Sequence, residues 1–431
     1  MAISGETRAN SEVCSDHVFL ASMTLTRLDR TALLGVLTLV AACTARDSAD
    51  GDDAGVDGGD AGADVLGLDS ATNDASVPTD SIASADGAKD AKDANDAKTD
   101  VTPDAPTAPS FPIADPPAGF AGLPAAGPMT ISAATGKTIS RVAITNPSGP
   151  CIVIHGGADI VIDHVAIGPC KGDGIQIDGK ATRVTVRDSY IHDTSSNGVS
   201  TYQVSAVSVT GSWFARNSSG GYFLESTGVR FEKSSVLNVQ GPIPRGQLAQ
   251  FDKVTGDASN AVRCNVMENR PGESNPEDGI NMYLSSGTAA APIVVEGNRI
   301  RGGGPSTSGG GILLGDGGGA SAYQISRFNV LVDPGQYGTS VAGGSHMTVL
   351  GNLVYAKKQS FTNVGIYVWD QYKSSCSDVT VKDNQVNWTN KDGVSNAWWN
   401  AGNCAALTES GNDWKATFTD SIIDRVPDAC K

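Results

Sequence analysis

The chain has 431 residues, of which 51 are glycine, and its formal net charge is −16 at neutral pH. Few helix-favouring runs and many short β-branched stretches favour an all-β fold with tight turns. Most of the negative charge lies in residues 44–112, which hold 16 Asp against 3 Lys and 1 Arg. The sequence shows no basic stripe, which argues against a nucleic-acid partner.

The segment "MTLTRLDRTALLGVLTLVAAC" is typical of export. Two arginines precede an apolar run that is short for a membrane span, and small residues precede Cys43. The segment resembles a bacterial lipoprotein signal, in which the Cys43 thiol takes a diacylglycerol. We therefore expect residues 1–43 to be a signal region whose true start is Met23. The protein would be an exported lipoprotein of the outer membrane or cell surface, anchored to the membrane at Cys43. An ordinary secretory signal with an accidental cysteine is the alternative.

Residues 44–112 form an acidic stretch rich in Asp, Ala, Gly and Pro, such as "DGAKDAKDANDAKTD". Low hydrophobicity and like charge cannot offset the entropy lost on ordering. The stretch is predicted to be a disordered tether that holds residues 113–431, the expected catalytic domain, away from the membrane.

A degenerate repeat runs through roughly residues 128–395. Segments such as "VIDHVAI", "VRDSYIHD", "VEGNRIRGG" and "VLGNLVYA" each carry one small polar residue, and a strand-like stretch such as "GIQID" or "GYFLE" precedes each of them. The recurring polar positions are 23 to 33 residues apart. They are His164, Ser189, Ser212, Ser235, Asn265, Asn298, Asn329, Asn352 and Asn384.

This pattern resembles the right-handed parallel β-helix of the pectate-lyase-like superfamily. The resemblance implies a single-stranded β-helix of about 9–10 coils, with the five asparagines stacked as an internal ladder. Because the ends of a parallel stack need covering, we expect caps at residues 113–130 and at about 395–431. A sandwich or propeller would instead predict hairpin turns and more even strand spacing.

Six cysteines lie in residues 113–431, where export permits disulfides. Proximity in the chain favours the pairs Cys151–Cys170 and Cys376–Cys404. Cys264 is predicted to be a buried thiol at an inward strand position.

Alternation within the strands predicts which side chains face outward. The expected outward column is rich in amides, carboxylates and aromatic rings, as a polysaccharide cleft requires. A sheet face with ordinary polar decoration is the alternative, and it explains a line of exposed aromatic rings poorly. The predicted outward pairs are Val153/His155, Gln176/Asp178, Ser200/Tyr202, Phe223/Glu225, Gln250/Asp252, Asn281/Tyr283, Leu313/Gly315, Ser340/Ala342 and Tyr367/Trp369.

The stretches "GQLAQFDKV", "EDGINMY" and "NVGIYVW" resemble bacterial alginate lyases of polysaccharide lyase family thirty-one, over about residues 120–431. The resemblance implies β-elimination on a uronate polymer by a lysine and a tyrosine. Lys253 fits the lysine best. The tyrosine is Tyr202, which the register points outward, or Tyr222, which it points inward unless Gly220–Gly221 shifts the frame. From the residues alone, a salt bridge of Lys253 with Asp252 or Glu225 is the more ordinary interpretation.

Such a reaction also needs a group that neutralises the sugar carboxylate. Arg245, Gln250 or Asn281 could supply it, or a Ca²⁺ ion held by Asp178, Glu225 and Asp252; no other cofactor is expected. The remaining predicted substrate contacts are His155, Gln176, Glu225, Tyr283, Tyr367 and Trp369. We expect a monomer acting on an acidic polysaccharide. A glycoside hydrolase or epimerase, or a non-catalytic glycan-binding adhesin, remains the alternative.

Overall fold

The computed structural model describes residues 110–256, 260–306, 308–373 and 375–431. The predicted signal region, the lipidation site Cys43 and almost all of the predicted tether lie outside the described residues. Within that part of the chain, no helix is both long and apolar enough to cross a membrane.

The described residues wind into a right-handed parallel β-helix with three sheets of 11 strands each, confirming the predicted fold class. The first sheet contains β1 (Ala125–Ala126), β4 (Ala143–Asn146), β7 (Ala166–Cys170), β10 (Tyr190–His192), β13 (Trp213–Ala215), β16 (Ser235–Leu237), β19 (Val266–Glu268), β22 (Arg299–Arg301), β25 (Val330–Val332), β28 (Leu353–Ala356) and β31 (Gln385–Trp388). The second sheet contains β2 (Met129–Ser132), β5 (Ile152–His155), β8 (Ile175–Asp178), β11 (Val199–Tyr202), β14 (Gly221–Leu224), β17 (Ala249–Asp252), β20 (Ile280–Tyr283), β23 (Ile312–Asp316), β26 (Tyr337–Val341), β29 (Val364–Val368) and β32 (Trp398–Asn400). The third sheet contains β3 (Thr138–Ser140), β6 (Ala158–Asp163), β9 (Thr182–Arg187), β12 (Ser205–Thr210), β15 (Thr227–Glu232), β18 (Ala261–Arg263), β21 (Ile293–Glu296), β24 (Ala322–Arg327), β27 (Ser345–Leu350), β30 (Ser377–Lys382) and β33 (Thr408–Ser410).

Each coil contributes one strand to each sheet, and neighbouring coils pair in parallel register, as Ile175 does with Val199. Inward side chains of the three sheets meet in one continuous core of Ile, Val, Leu and Phe. The stack has 11 coils rather than the expected 9–10. The stretch predicted to leave the repeat after residue 395 still supplies β32 and β33.

An asparagine ladder runs along the inside of one corner, as predicted. Each Nδ2 donates to the Oδ1 of the next asparagine at 2.9–3.0 Å, and the series runs through Asn265, Asn298, Asn329, Asn352, Asn384 and Asn412. Serines continue the column in earlier coils. Ser212 donates its backbone N–H to the hydroxyl of Ser234, which in turn donates its N–H to Asn265. The predicted Ser235 is wrong by one residue. His164 lies outside the ladder, because it sits in a left-handed turn and stacks on Phe120.

Apolar side chains occupy much of the outer face of the first sheet, and both ends of the described chain cover them. Ile113 and Phe120 pack on side chains of this face that include Tyr190 and Leu237. Residues 113–124 therefore lie along the side of the stack rather than closing only its end. At the other end, Ile422 and Ile423 from the 3₁₀ helix Asp420–Asp424 cover Val330 and Val332.

Three disulfides join the coils. The predicted pairs Cys151–Cys170 and Cys376–Cys404 are confirmed. The prediction for Cys264 is wrong, since it forms a disulfide with Cys430 across 166 residues. Cys264 occupies a left-handed turn after β18 rather than an inward strand position, so its thiol leaves the core and meets the returning C-terminus, which ends in the 3₁₀ helix Asp428–Cys430.

Candidate functional site

Polar and aromatic side chains collect on the outer face of the second sheet, here called the cleft face. Strand pairing aligns them in two columns. The first column, in register across the coils, is Val153, Gln176, Ser200, Tyr222, Gln250, Asn281, Leu313, Ser340, Tyr367 and Trp399. The second includes His155, Asp178, Tyr202, Leu224, Asp252, Tyr283 and Asp316, and Trp369 follows directly after β29.

The register of β14 differs from the predicted one. Phe223 is fully buried and Tyr222 faces outward, whereas the alternation predicts Phe223 outside and Tyr222 inside. Glu225, predicted outside, is exposed in the turn after β14. Gly221 is the cause, because it occupies the inward position that Val199 fills in the coil before. A Cβ at Gly221 would lie 2.6 Å from the Phe223 ring, so the missing side chain makes room for that ring. A second, smaller shift follows Leu313, where an irregularity brings Asp316 rather than Gly315 beside Tyr283.

Tyr222 lies at the centre of a compact polar cluster. Its hydroxyl donates to Asp252 Oδ2 at 2.7 Å. The Arg245 guanidinium stacks 3.6 Å from the centroid of the Tyr222 ring and donates to Gln250 Oε1 at 3.0 Å. Burial, together with the hydrogen bond to the Asp252 carboxylate, raises the pKa of Tyr222 to about 12. The phenol is therefore held in its protonated form, with its proton directed at Asp252.

Arg245 keeps its charge available. Its hydrogen bonds go to the Pro244 carbonyl and the Gln250 amide oxygen, which are neutral acceptors. No salt bridge to Arg245 occurs within the described residues. Asp252 Oδ1 beside it is buried and makes no hydrogen bond inside the described part of the chain. The cluster thus presents a guanidinium next to a phenol.

Lys253 follows β17 in a left-handed turn, at the edge of the cleft face. Its ammonium lies 3.6 Å from Glu225 Oε1, and its side chain is 49% exposed. Gln203 also donates to Glu225, at 2.9 Å. The salt bridge with Glu225 is therefore present, as the more ordinary interpretation of Lys253 predicts. Tyr202 lies on the coil before Tyr222 and is 46% exposed.

The three predicted calcium ligands do not come together. Asp178 accepts from Gln176 at 3.0 Å and contacts His155 Nδ1 at 2.5 Å. It lies three strand spacings from Asp252, or roughly 14 Å. No cluster of three or more His, Cys, Asp or Glu side chains suited to a metal occurs among the described residues. A single ion held by Asp178, Glu225 and Asp252 does not fit this arrangement.

One coil further along, Asn281 bridges two carboxylates that the sequence analysis missed. Its Nδ2 donates to Asp278 Oδ2 at 2.7 Å and to Asp316 Oδ2 at 2.8 Å. Asp278 also accepts from the Gly310 amide at 3.0 Å and from the Tyr337 hydroxyl. Burial raises the pKa of Asp278 to about 7. The sequence contains a pattern that could have identified Asp278. This residue precedes the glycine directly before β20, as Asp173 precedes the glycine directly before β8.

Tyrosines from later coils reach back over this pair. The Tyr372 hydroxyl donates to Asp316, and the Tyr337 ring packs edge-on against Tyr367 at 5.2 Å. Burial, above all, raises the pKa values of Tyr337, Tyr367 and Tyr372. Of the predicted aromatic contacts, Trp369 is well exposed, whereas Tyr283 and Tyr367 are partly covered.

Comparisons with known proteins support the architecture. The family model described as "Right handed beta helix region" matches residues 131–272, which lie within the parallel β-helix described above. No curated protein matches the chain significantly.

Solved structures with a similar fold include the catalytic domain of a GH87 α-1,3-glucanase in complex with tetrasaccharides (13% identity, 67% of this chain, 57% of that one, TM-score 0.48). A periplasmic alginate epimerase is also similar (12% identity, 66% of this chain, 70% of that one, TM-score 0.45). So is an alginate lyase from Paenibacillus sp. str. FPU-7 (12% identity, 66% of this chain, 99% of that one, TM-score 0.37). The chain spans a little over half the length of the glucanase domain. At these identities the likeness concerns the fold alone and selects no activity.

Proposed function

We propose that this protein is a polysaccharide lyase that cleaves a uronate polymer, such as alginate, by β-elimination. The observation that carries the proposal is the Arg245 guanidinium, which stacks on Tyr222 and, among the described residues, donates to neutral acceptors. A sugar carboxylate is the anion that this guanidinium would bind. Resemblance of the stretch around Lys253 to alginate lyases adds support.

In the proposed reaction, Arg245 and Gln250 hold the carboxylate and so stabilise the charge that develops when the C5 proton leaves. The C5–H and C4–O bonds break, and a C4–C5 double bond forms. Tyr222, protonated at neutral pH, gives its proton to the leaving oxygen. Lys253 takes the C5 proton, which requires it to leave Glu225 and lose its own proton first. Asp252 positions the Tyr222 hydroxyl, which donates to its Oδ2 at 2.7 Å.

The test is to incubate the protein with alginate, pectate and hyaluronan while following ultraviolet absorbance, because elimination leaves an unsaturated uronate. Tyr222→Phe removes the proton donor and should abolish most of the signal. Tyr323→Phe is the matched control, since Tyr323 stacks on His346 on the third sheet, away from the cleft face. A comparison with Tyr202→Phe decides between the two candidate tyrosines. Full activity of Tyr222→Phe would contradict the assignment.

A second candidate is a glycoside hydrolase that uses Asp278 and Asp316. A buried carboxyl with a pKa near 7 beside a more exposed carboxylate resembles an acid and base pair. This function predicts new reducing ends without ultraviolet absorbance, and loss of activity in Asp278→Asn. The product therefore separates the two candidates.

We further propose that the protein is exported and anchored at Cys43, with residues 44–112 as a tether, and acts as a monomer without nucleic-acid partners. Globomycin-sensitive processing, or metabolic labelling with a fatty-acid analogue that is lost in Cys43→Ala, would test the anchor.

A further inference from the structure

Three large aromatic side chains stand exposed at the C-terminal end of the cleft face. Trp369, Tyr372 and Trp399 are 38%, 43% and 46% exposed. The Trp369 and Trp399 rings lie 6.0 Å apart at 79°, so they form an open corner rather than a packed stack. An exposed cluster of large apolar side chains is informative, whereas a single one is not.

Closing the end of the stack does not account for Trp399. Its neighbour Trp398 points to the opposite side of β32, stacks on Trp414 at 5.1 Å, and packs against the core. Those two rings cover the last coil, while Trp399 continues the outward column above Tyr367.

The aromatic corner is continuous with the proposed active site. Trp369 follows β29, which lies four strand spacings from β17, and hence roughly 19 Å from the Asp252 coil. Tyr372 joins the two regions, because its hydroxyl reaches back to Asp316, which lies beside Tyr283.

We propose that Trp369 and Trp399 form a remote sugar-binding subsite for the same polysaccharide chain that occupies the Tyr222 cluster. The apolar C–H face of a pyranose ring stacks on an indole, and the second indole forms a wall beside it. The inference rests on the proposed function, and it adds that the substrate is a long polymer. Oligosaccharides too short to cover roughly 19 Å cannot contact both regions.

The subsite is tested with the full chain and its Trp369→Ala, Trp399→Ala and double variants. The matched control is Phe328→Ala, which removes an exposed aromatic ring from the turn that follows β24 of the third sheet. Binding is measured by retardation in native gels containing alginate, pectate or hyaluronan. Turnover is measured on oligouronates of increasing length, and thermal unfolding verifies that each variant is folded.

We expect each tryptophan variant to weaken polymer binding about tenfold, while Phe328→Ala binds normally. The loss of turnover should grow with the length of the oligouronate above a threshold length, whereas Phe328→Ala should turn over every length as the native protein does. Equal retardation of native and double-variant protein, or no retardation of the native protein in any of the three gels, would overturn the subsite. Retardation that depends on the tryptophans without any unsaturated product would refute the lyase function and leave the subsite standing.

Discussion

Arg245 acts through geometry as well as charge. Its planar guanidinium stacks on the Tyr222 ring while one N–H group donates to Gln250. A lysine ammonium cannot reproduce this combination, because it is a point charge without a planar face. The phenol and the cation are thereby fixed with respect to each other before any substrate arrives.

Arg245→Lys is therefore expected to lower kcat/KM on a uronate polymer by about tenfold, and Arg245→Gln by about 100-fold. Steady-state kinetics on the polymer that gives the ultraviolet signal measures both. Unchanged kinetics in Arg245→Gln would show that the sugar carboxylate binds elsewhere.

The raised pKa of Asp278 predicts that the stability of the fold depends on pH. Its pKa in the folded protein is about 7, well above the ordinary value of 3.8. Between these values the folded state keeps a proton that the unfolded chain has released, so stability should fall as the pH rises from about 4 to 7. Asp278→Asn should flatten this slope in urea unfolding curves. The Asn281 amide can rotate to offer its Oδ1, which has no hydrogen-bond partner among the described residues, to the new amide. An identical slope in the variant would contradict the assignment.

At the scale of single elements, the asparagine ladder ties one coil to the next inside the core. Asn329 donates to the Val295 carbonyl and to Asn352, and accepts both the backbone N–H and the side-chain amide of Asn298. Removing this side chain leaves several buried polar groups without hydrogen-bond partners, and each unsatisfied group costs about 1–3 kcal/mol.

Asn329→Ala should thus lower the free energy of unfolding by on the order of 3 kcal/mol or more. Asn412→Ala, at the half-exposed end of the ladder, should cost much less because water can replace its partners. Chemical denaturation of both variants provides the comparison. Equal losses would mean that ladder position does not matter.

The strands show why some of the fold and site could be predicted from the sequence. Alternation of inward and outward residues identified Gln250, Asp252, Asn281 and Tyr283 correctly, since burial of one face fixes the register. It failed at Tyr222, because a second glycine took an inward position that alternation assigns to an apolar side chain.

Alternation within a strand makes no prediction for residues in the segments between strands. Asp278 precedes β20, and Arg245 is brought onto Tyr222 by the long connection between β16 and β17. Arg245 was among the candidates for neutralising the sugar carboxylate, but its stacking on Tyr222 could not be read from spacing. Segment lengths between coils vary, so the sequence contains no period that would place these side chains.

At the scale of the whole molecule, the returning C-terminus closes the longest disulfide loop among the described residues. The Cys264–Cys430 disulfide spans 166 residues and sits beside the 3₁₀ helix that covers the first sheet. Cross-linking such distant points removes conformational entropy from the unfolded chain, an effect of up to about 5 kcal/mol. The same bond holds Ile422 and Ile423 over Val330 and Val332.

Cys430→Ser should therefore lower the unfolding temperature more than Cys376→Ser, whose disulfide closes only 28 residues. Hydrogen exchange should also increase in residues 418–431 and in β25, because the covering segment loses its covalent attachment. The cleft face lies on a different sheet, so turnover at low temperature should be unaffected. The contrary outcome is that turnover falls together with the protection of the C-terminal residues from hydrogen exchange. In that case the segment that covers the first sheet would have to act on the second sheet through the shared core. The two faces of the stack could then not be treated as independent.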